Sequence, residues 1–241
     1  MLPSLLDVVD ARERKSGRES LTHLCYVATT SSDESAASIV AAHDEACVAD
    51  ALAGGSLTGI CLAQNGCVLH YLECPSPTLL SILREVRARL PLTGVLGSEG
   101  CRVLVASEDC DQRYFESWTR MELEANDEGE ISAPAGDEAT TAAFDILKTL
   151  ISVGEGLAST SSEGVEVEDE LLPAGGSSEG ATLVQNVCPS KGRIKALSES
   201  TAFFTLDEYL EAFGTAVAVQ LESGDVWPYQ PTVNYESLTA S

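Results

Sequence analysis

The chain has 241 residues, 44% of them hydrophobic, with 38 acidic against 14 basic side chains and a formal net charge of −24. That length allows one well-cored domain plus extensions, or two small domains. The charge argues against binding nucleic acid or anionic lipid, whose phosphates would be repelled, and favours a basic partner or plain solubility.

Along the chain, residues 1–20 form an N-terminal arm, with a short apolar patch broken by Asp7 and Asp10 before a charged stretch. That pattern fits neither a secretory nor a mitochondrial leader, and no apolar run approaches the ~20 residues of a membrane helix. The expected location is therefore cytoplasmic. Leu21–Thr29 (LTHLCYVAT) is apolar and β-branched enough for a first strand. Ser31, Ser32 and Asp33 supply N-cap chemistry for a helix over 34–52, closed by Gly54-Gly55.

The stretch 57–75 is the centre around which the neighbouring elements should pack. Two apolar runs, 57–63 and 67–72, flank Gln64-Asn65-Gly66, and Asn-Gly tolerates the positive φ of a tight hairpin turn. Pro75 ends the second run. A second helix is expected over 78–90, with Leu79, Leu80, Leu83, Val86 and Leu90 on one face and Arg84, Arg87 and Arg89 on the other. Strands are expected at 101–106 and 119–124, with a turn of helix at 113–118 between them.

The order strand, helix, strand, strand, helix, strand is the α+β, ferredoxin-like βαββαβ arrangement, with both helices on one face of a mixed sheet. It accounts for 21–124. Residues 125–182 read as an acidic linker with one helix at 139–157, whose apolar positions are Phe144, Leu147, Leu150, Ile151 and Leu157. Residues 183–241 form a C-terminal extension. Thr205 and Glu208 suit a capping box for a helix with the stripe Leu206, Tyr209, Leu210 and Phe213, closed by Gly214. A strand at 216–221 and the aromatic tail Trp227-Pro228-Tyr229 complete it.

Eight cysteines occur without a CxxC pair, and Cys25, Cys61 and Cys67 sit inside apolar strand-like runs. They read as reduced, buried thiols rather than a disulfide framework. His70 and Cys74 share one strand face and could form a Cys–His pair for nucleophilic hydrolysis, yet no third orienting group is evident. Core packing is the preferred reading. His23, His43 and the cysteines lack metal-ligand spacing. Acylphosphatases resemble the topology, but no phosphate loop is recognisable, and Gly54, Gly55 and Gly59 are too few and wrongly spaced for one. No catalytic residues are assigned.

Four motifs in order resemble the BLUF family of flavin-binding blue-light sensors. They are Leu24-Cys25-Tyr26-Val27, Leu57-Thr58-Gly59, Gly66-Cys67-Val68-Leu69-His70-Tyr71-Leu72-Glu73, and Arg113-Tyr114-Phe115-Glu116-Ser117-Trp118. The resemblance implies that fold and, in the parent family, flavin held by a tyrosine, a glutamine and an asparagine. Tyr26 keeps the tyrosine, His70 stands at the glutamine and Leu52 at the asparagine. An imidazole cannot offer the paired donor and acceptor of an amide, and a leucine leaves a buried ring carbonyl unsatisfied, at about 1–3 kcal/mol.

The expectation is thus a flavin-free domain without cofactor or metal, used for its shape. If flavin were bound, as FAD, Tyr26, His70, Arg84 and Arg87 would hold it, and a photosensor with altered switching is the alternative. The acidic break, the later helix and the aromatic tail look similar in organisation to testis-expressed proteins of animal sperm and related ciliary components. That resemblance implies a non-enzymatic axonemal assembly protein, with other proteins of a large complex as partners and Phe213, Trp227 and Tyr229 as anchors.

Overall fold

The computed structural model describes residues 20–29, 43, 56–64, 66–89, 100–124, 131–161, 184 and 188–214. Six strands and four helices lie among them. They are β1 (Leu21–Thr29), β2 (Thr58–Gln64), β3 (Cys67–Cys74), α1 (Ser76–Arg89), β4 (Cys101–Cys110), β5 (Trp118–Glu122), α2 (Gly136–Ser161), α3 (Lys191–Glu199), β6 (Phe204–Thr205) and α4 (Leu206–Phe213). The sheet order is β5-β2-β3-β1-β4-β6, antiparallel throughout except for the parallel β2/β5 pair. The central β2-β3-β1-β4 order is that of a ferredoxin-like α+β fold.

The hairpin forms as its turn chemistry predicts. Gln64 pairs with Cys67, and Gly66 takes φ +81°. Asn65 lies outside the described residues, as do residues 1–19 of the N-terminal arm, the expected strand at 216–221 and nearly all of the helix expected at 34–52. Of that helix only His43 is described, helical and buried.

Every residue of β1, β2 and β3 is buried, so these strands are covered on both faces. On one face Leu24, Tyr26, Cys61 and Leu72 pack beneath Leu79, Ile82, Leu83 and Val86 of α1 and Leu206, Tyr209 and Leu210 of α4. On the other, Val27, Ile60, Leu69 and Tyr71 meet Ala143, Ile146, Leu150 and Val153 of α2 and Ile194 and Leu197 of α3. The result is three layers, helices on sheet on helices.

Two expected details are corrected. The turn of helix expected at 113–118 does not form, because 113–117 are an irregular loop leading into β5. The buried stripe of α2 is Ala139, Ala143, Ile146, Leu150 and Val153, at i, i+4, i+7, i+11 and i+14, whereas Phe144 is 50% exposed. α4 begins on the predicted capping box. Glu208 N donates to Thr205 Oγ1 at 3.1 Å, and Thr205 N donates to Glu208 Oε2 at 2.7 Å. The Thr205 N–H bond, joined by the Thr205 hydroxyl donating to the same Oε2 at 2.9 Å, holds the Glu208 carboxyl below its usual range.

Candidate functional site

The four motifs meet on both faces of the sheet, with Tyr26, His70 and Trp118 on the first and Thr58, Glu73 and Phe115 on the second. Tyr26 of β1 and His70 of β3 are directly opposite in the antiparallel register and both fully buried. Tyr26 Oη lies 2.9 Å from His70 Nδ1. From the other side Trp118, the first residue of β5, donates its indole N–H to His70 Nε2 at 3.0 Å. An indole can only donate, so Nε2 carries no proton. The neutral ring must then hold its proton on Nδ1 and donate it to Tyr26 Oη.

Burial, reinforced by the neighbouring His43, holds His70 well below its ordinary value of 6.5. The His43 ring stacks on Tyr26 at 6.1 Å and meets His70 edge-on at 5.7 Å. His23, on the opposite face, is lowered as well, chiefly by burial against an opposing pull from Glu73.

A histidine that stays neutral when folded binds fewer protons than the unfolded chain below pH 6.5. Its stability contribution is therefore complete above 6.5 and lost as pH falls toward the folded value. Urea unfolding between pH 7.5 and 5.5 is expected to show falling stability, with a shallower slope in His70→Gln, where His23 still titrates. An unchanged slope would mean that His70 protonates as readily in the folded protein.

A second network lies on the opposite face of the sheet. Glu73, with no exposed surface, receives the Thr58 hydroxyl at 2.6 Å, Tyr114 N at 2.9 Å and Phe115 N at 3.3 Å. Arg113 donates to Thr58 Oγ1 and to the Glu73 carbonyl, each at 3.0 Å. Gly59 sits at φ +136°, and a Cβ there would fall 2.1 Å from the Tyr71 carbonyl oxygen, so only glycine fits. The Thr-Gly, Leu-Glu and Arg-Tyr-Phe motifs are thus parts of one latch. It fastens the 113–117 loop to the hairpin and delivers Trp118 to His70.

The remaining predicted residues lie elsewhere. Arg84 donates to the Gly214 carbonyl at 2.5 Å, and Arg87 forms an ion pair with Asp207, so α1 holds both ends of α4. Phe213 is half exposed and packs on Tyr209 with ring centroids 4.9 Å apart. Trp227, Tyr229 and Leu52 lie outside the described residues.

His70 and Cys74 are four residues apart on a strand, about 13 Å along its axis, too far to form a catalytic pair. Seven cysteines are described, and none of these is in a disulfide. Burial pushes Cys25, Cys101 and Cys188 up to about 12 and Cys67 to about 11, so these four are un-ionised at neutral pH. Sequence reasoning pairs Tyr26 with His70 but misses Trp118 as the third member. The signal is present in the Arg113–Trp118 motif, whose tryptophan needs a buried acceptor.

Strand order, covered faces and latch together define a ferredoxin-like α+β protein whose motif residues bond chiefly to one another. The family model for testis-expressed protein 47 matches residues 20–215. The chain belongs to that family. No curated protein matches the chain. Among solved structures, one described as BlrP1 BLUF is similar with a TM-score of 0.34 and 20% identity, over 43% of this chain and 64% of that one. The overlap is less than two thirds of that neighbour's length. Among the described residues, no helix is long and apolar enough to cross a membrane.

Proposed function

We propose that the chain is a non-enzymatic assembly protein of the ciliary or flagellar axoneme, in which a flavin-free, BLUF-like sheet serves as a protein-interaction scaffold. The observation behind it is that both ring nitrogens of His70 are taken by protein partners, Tyr26 and Trp118. Arg84 and Arg87 are likewise committed to α4. A flavin edge would have to break these contacts before making its own. The family's description as testis-expressed agrees with a flagellar setting, and the acidic surface suits a basic partner.

Two measurements test the reading. Protein purified from riboflavin-supplemented cells is expected to show no absorbance beyond the protein band. A bound flavin whose band red-shifts in blue light would overturn the flavin-free reading and favour the photosensor. A tagged chain in flagellated cells is expected to stay with the detergent-resistant axoneme, and full release into the soluble fraction would overturn the assembly role.

A further inference from the structure

β6 pairs with only Arg102 and Val103 of β4, leaving the outer edge of β4 beyond Val103 without a strand partner among the described residues. Ala106, Ser107, Glu108 and Asp109 on that strand are all exposed. Beside this edge lies a groove of about 470 Å³, floored by Val103 and Val105 and walled by Phe144, Phe204 and Phe213. The three phenylalanines are 50%, 53% and 51% exposed, and Phe204 meets Phe213 edge-to-face at 6.4 Å. Single exposed apolar residues are ordinary, but three aromatic rings around one groove form a contiguous patch. Their cost in water makes sense only if something covers them.

We propose that this groove docks an extended, basic segment of a partner protein, added as a strand to the free edge of β4 with apolar side chains seated among Phe144, Phe204 and Phe213. Two observations fix the chemistry. A strand edge without a neighbouring strand is a template for another strand, and alternate side chains of that strand point into one groove. Among the described residues Glu108 is the one charged residue lining the groove, and the chain carries −24 overall. Coulomb repulsion therefore opposes a second copy of the chain, while a lysine or arginine at the rim would find an opposite charge. The Glu108 field also reaches Tyr209, whose hydroxyl it helps burial to push upward.

The inference rests on the scaffold reading and names the partner chemistry for it. Its test is fluorescence anisotropy of the full chain with a short labelled peptide of alternating valine and lysine. Binding is expected, and about tenfold weaker binding in the double variant Phe204→Ser, Phe213→Ser, whose positions are exposed enough to leave the fold intact. Glu108→Lys should weaken the same peptide and improve one of alternating valine and glutamate. A valine–lysine peptide with proline at alternate positions should not bind, because it lacks the ladder donors.

The proposal is overturned if the valine–lysine peptide fails to bind, if it binds all variants and the proline peptide equally, or if sedimentation shows a dimer that Phe204→Ser disperses. Axonemal retention is read separately. A double variant that binds no peptide but stays in the axoneme removes this groove and leaves the scaffold reading standing. Release of the unaltered chain removes the scaffold reading itself.

Discussion

A fragment ending at Glu124 is expected not to fold, although it contains every strand of the ferredoxin-like core. Cutting there removes α2 and α3, and with them the cover over Cys25, Val27, Ile60, Leu62, Leu69 and Tyr71, each at most 2% exposed in the full chain. Returning six such side chains to water costs on the order of 10 kcal/mol. Whole domains have only about 5–15 kcal/mol of net stability. The loss is thus as large as the entire margin. Far-UV circular dichroism and urea titration of residues 20–124 and 20–214 would decide it. Cooperative unfolding of the shorter piece would show that α2 and α3 are ornaments, and that the sheet tolerates a wet second face.

Glu73→Ala is the second large effect expected. The carboxylate accepts two backbone amides, Tyr114 N and Phe115 N, and the Thr58 hydroxyl, all at a place water does not reach. Alanine leaves these donors without an acceptor, at about 1–3 kcal/mol for each that stays dry, so a loss of about 4 kcal/mol is reasonable. Glu73→Gln should fall in between, since it keeps one acceptor oxygen but turns an amide donor toward other donors. Because the latch also delivers Trp118, the alanine variant should shift the tryptophan emission of the folded state. Urea midpoints within about 0.5 kcal/mol of the unaltered chain would reduce Glu73 to an ordinary buried residue.

How much of this is legible in the sequence depends on how local each cause is. Asn65-Gly66 announces its hairpin and Thr205-Glu208 its capping box, because turn and cap chemistry act within four residues. β1 and the buried face of α1 emerge from apolar patterning, which needs only the element's own residues. The second helical layer is less visible. Apolar periodicity runs the stripe of α2 through Phe144, but one residue is a rotation of 100°, and apolarity alone cannot choose between Phe144 and Ala143. Small residues that permit close approach, such as Gly154 beside the Tyr114 carbonyl, look unremarkable until their neighbour is known.

The candidate site divides in the same way. Tyr26 and His70 can be paired on paper, since strand parity puts both on one face. Trp118 cannot, because its place depends on the parallel β2/β5 register and on a loop whose Tyr114 is bound by Glu73 from 41 residues earlier. Arg84 and Arg87 look free for a phosphate until α4, more than 100 positions later in the chain, is seen to take them. Long-range hydrogen bonds of this kind leave no periodic trace.

The late position of α2 and α3 in the chain has a consequence for biosynthesis. Ribosomes add roughly 5–20 residues per second, so the roughly 90 residues between Glu124 and Gly214 take about 5–20 s to appear. Throughout that interval the residues of five strands are already made, while the helices that will cover Val27, Ile60 and Leu69 are still being added. A nascent chain in that condition is a substrate for holding chaperones, and crowded polysomes would bring several such apolar segments together. Slowing elongation past Glu124 should lengthen the exposure and lower the soluble yield, without altering one residue of the finished protein.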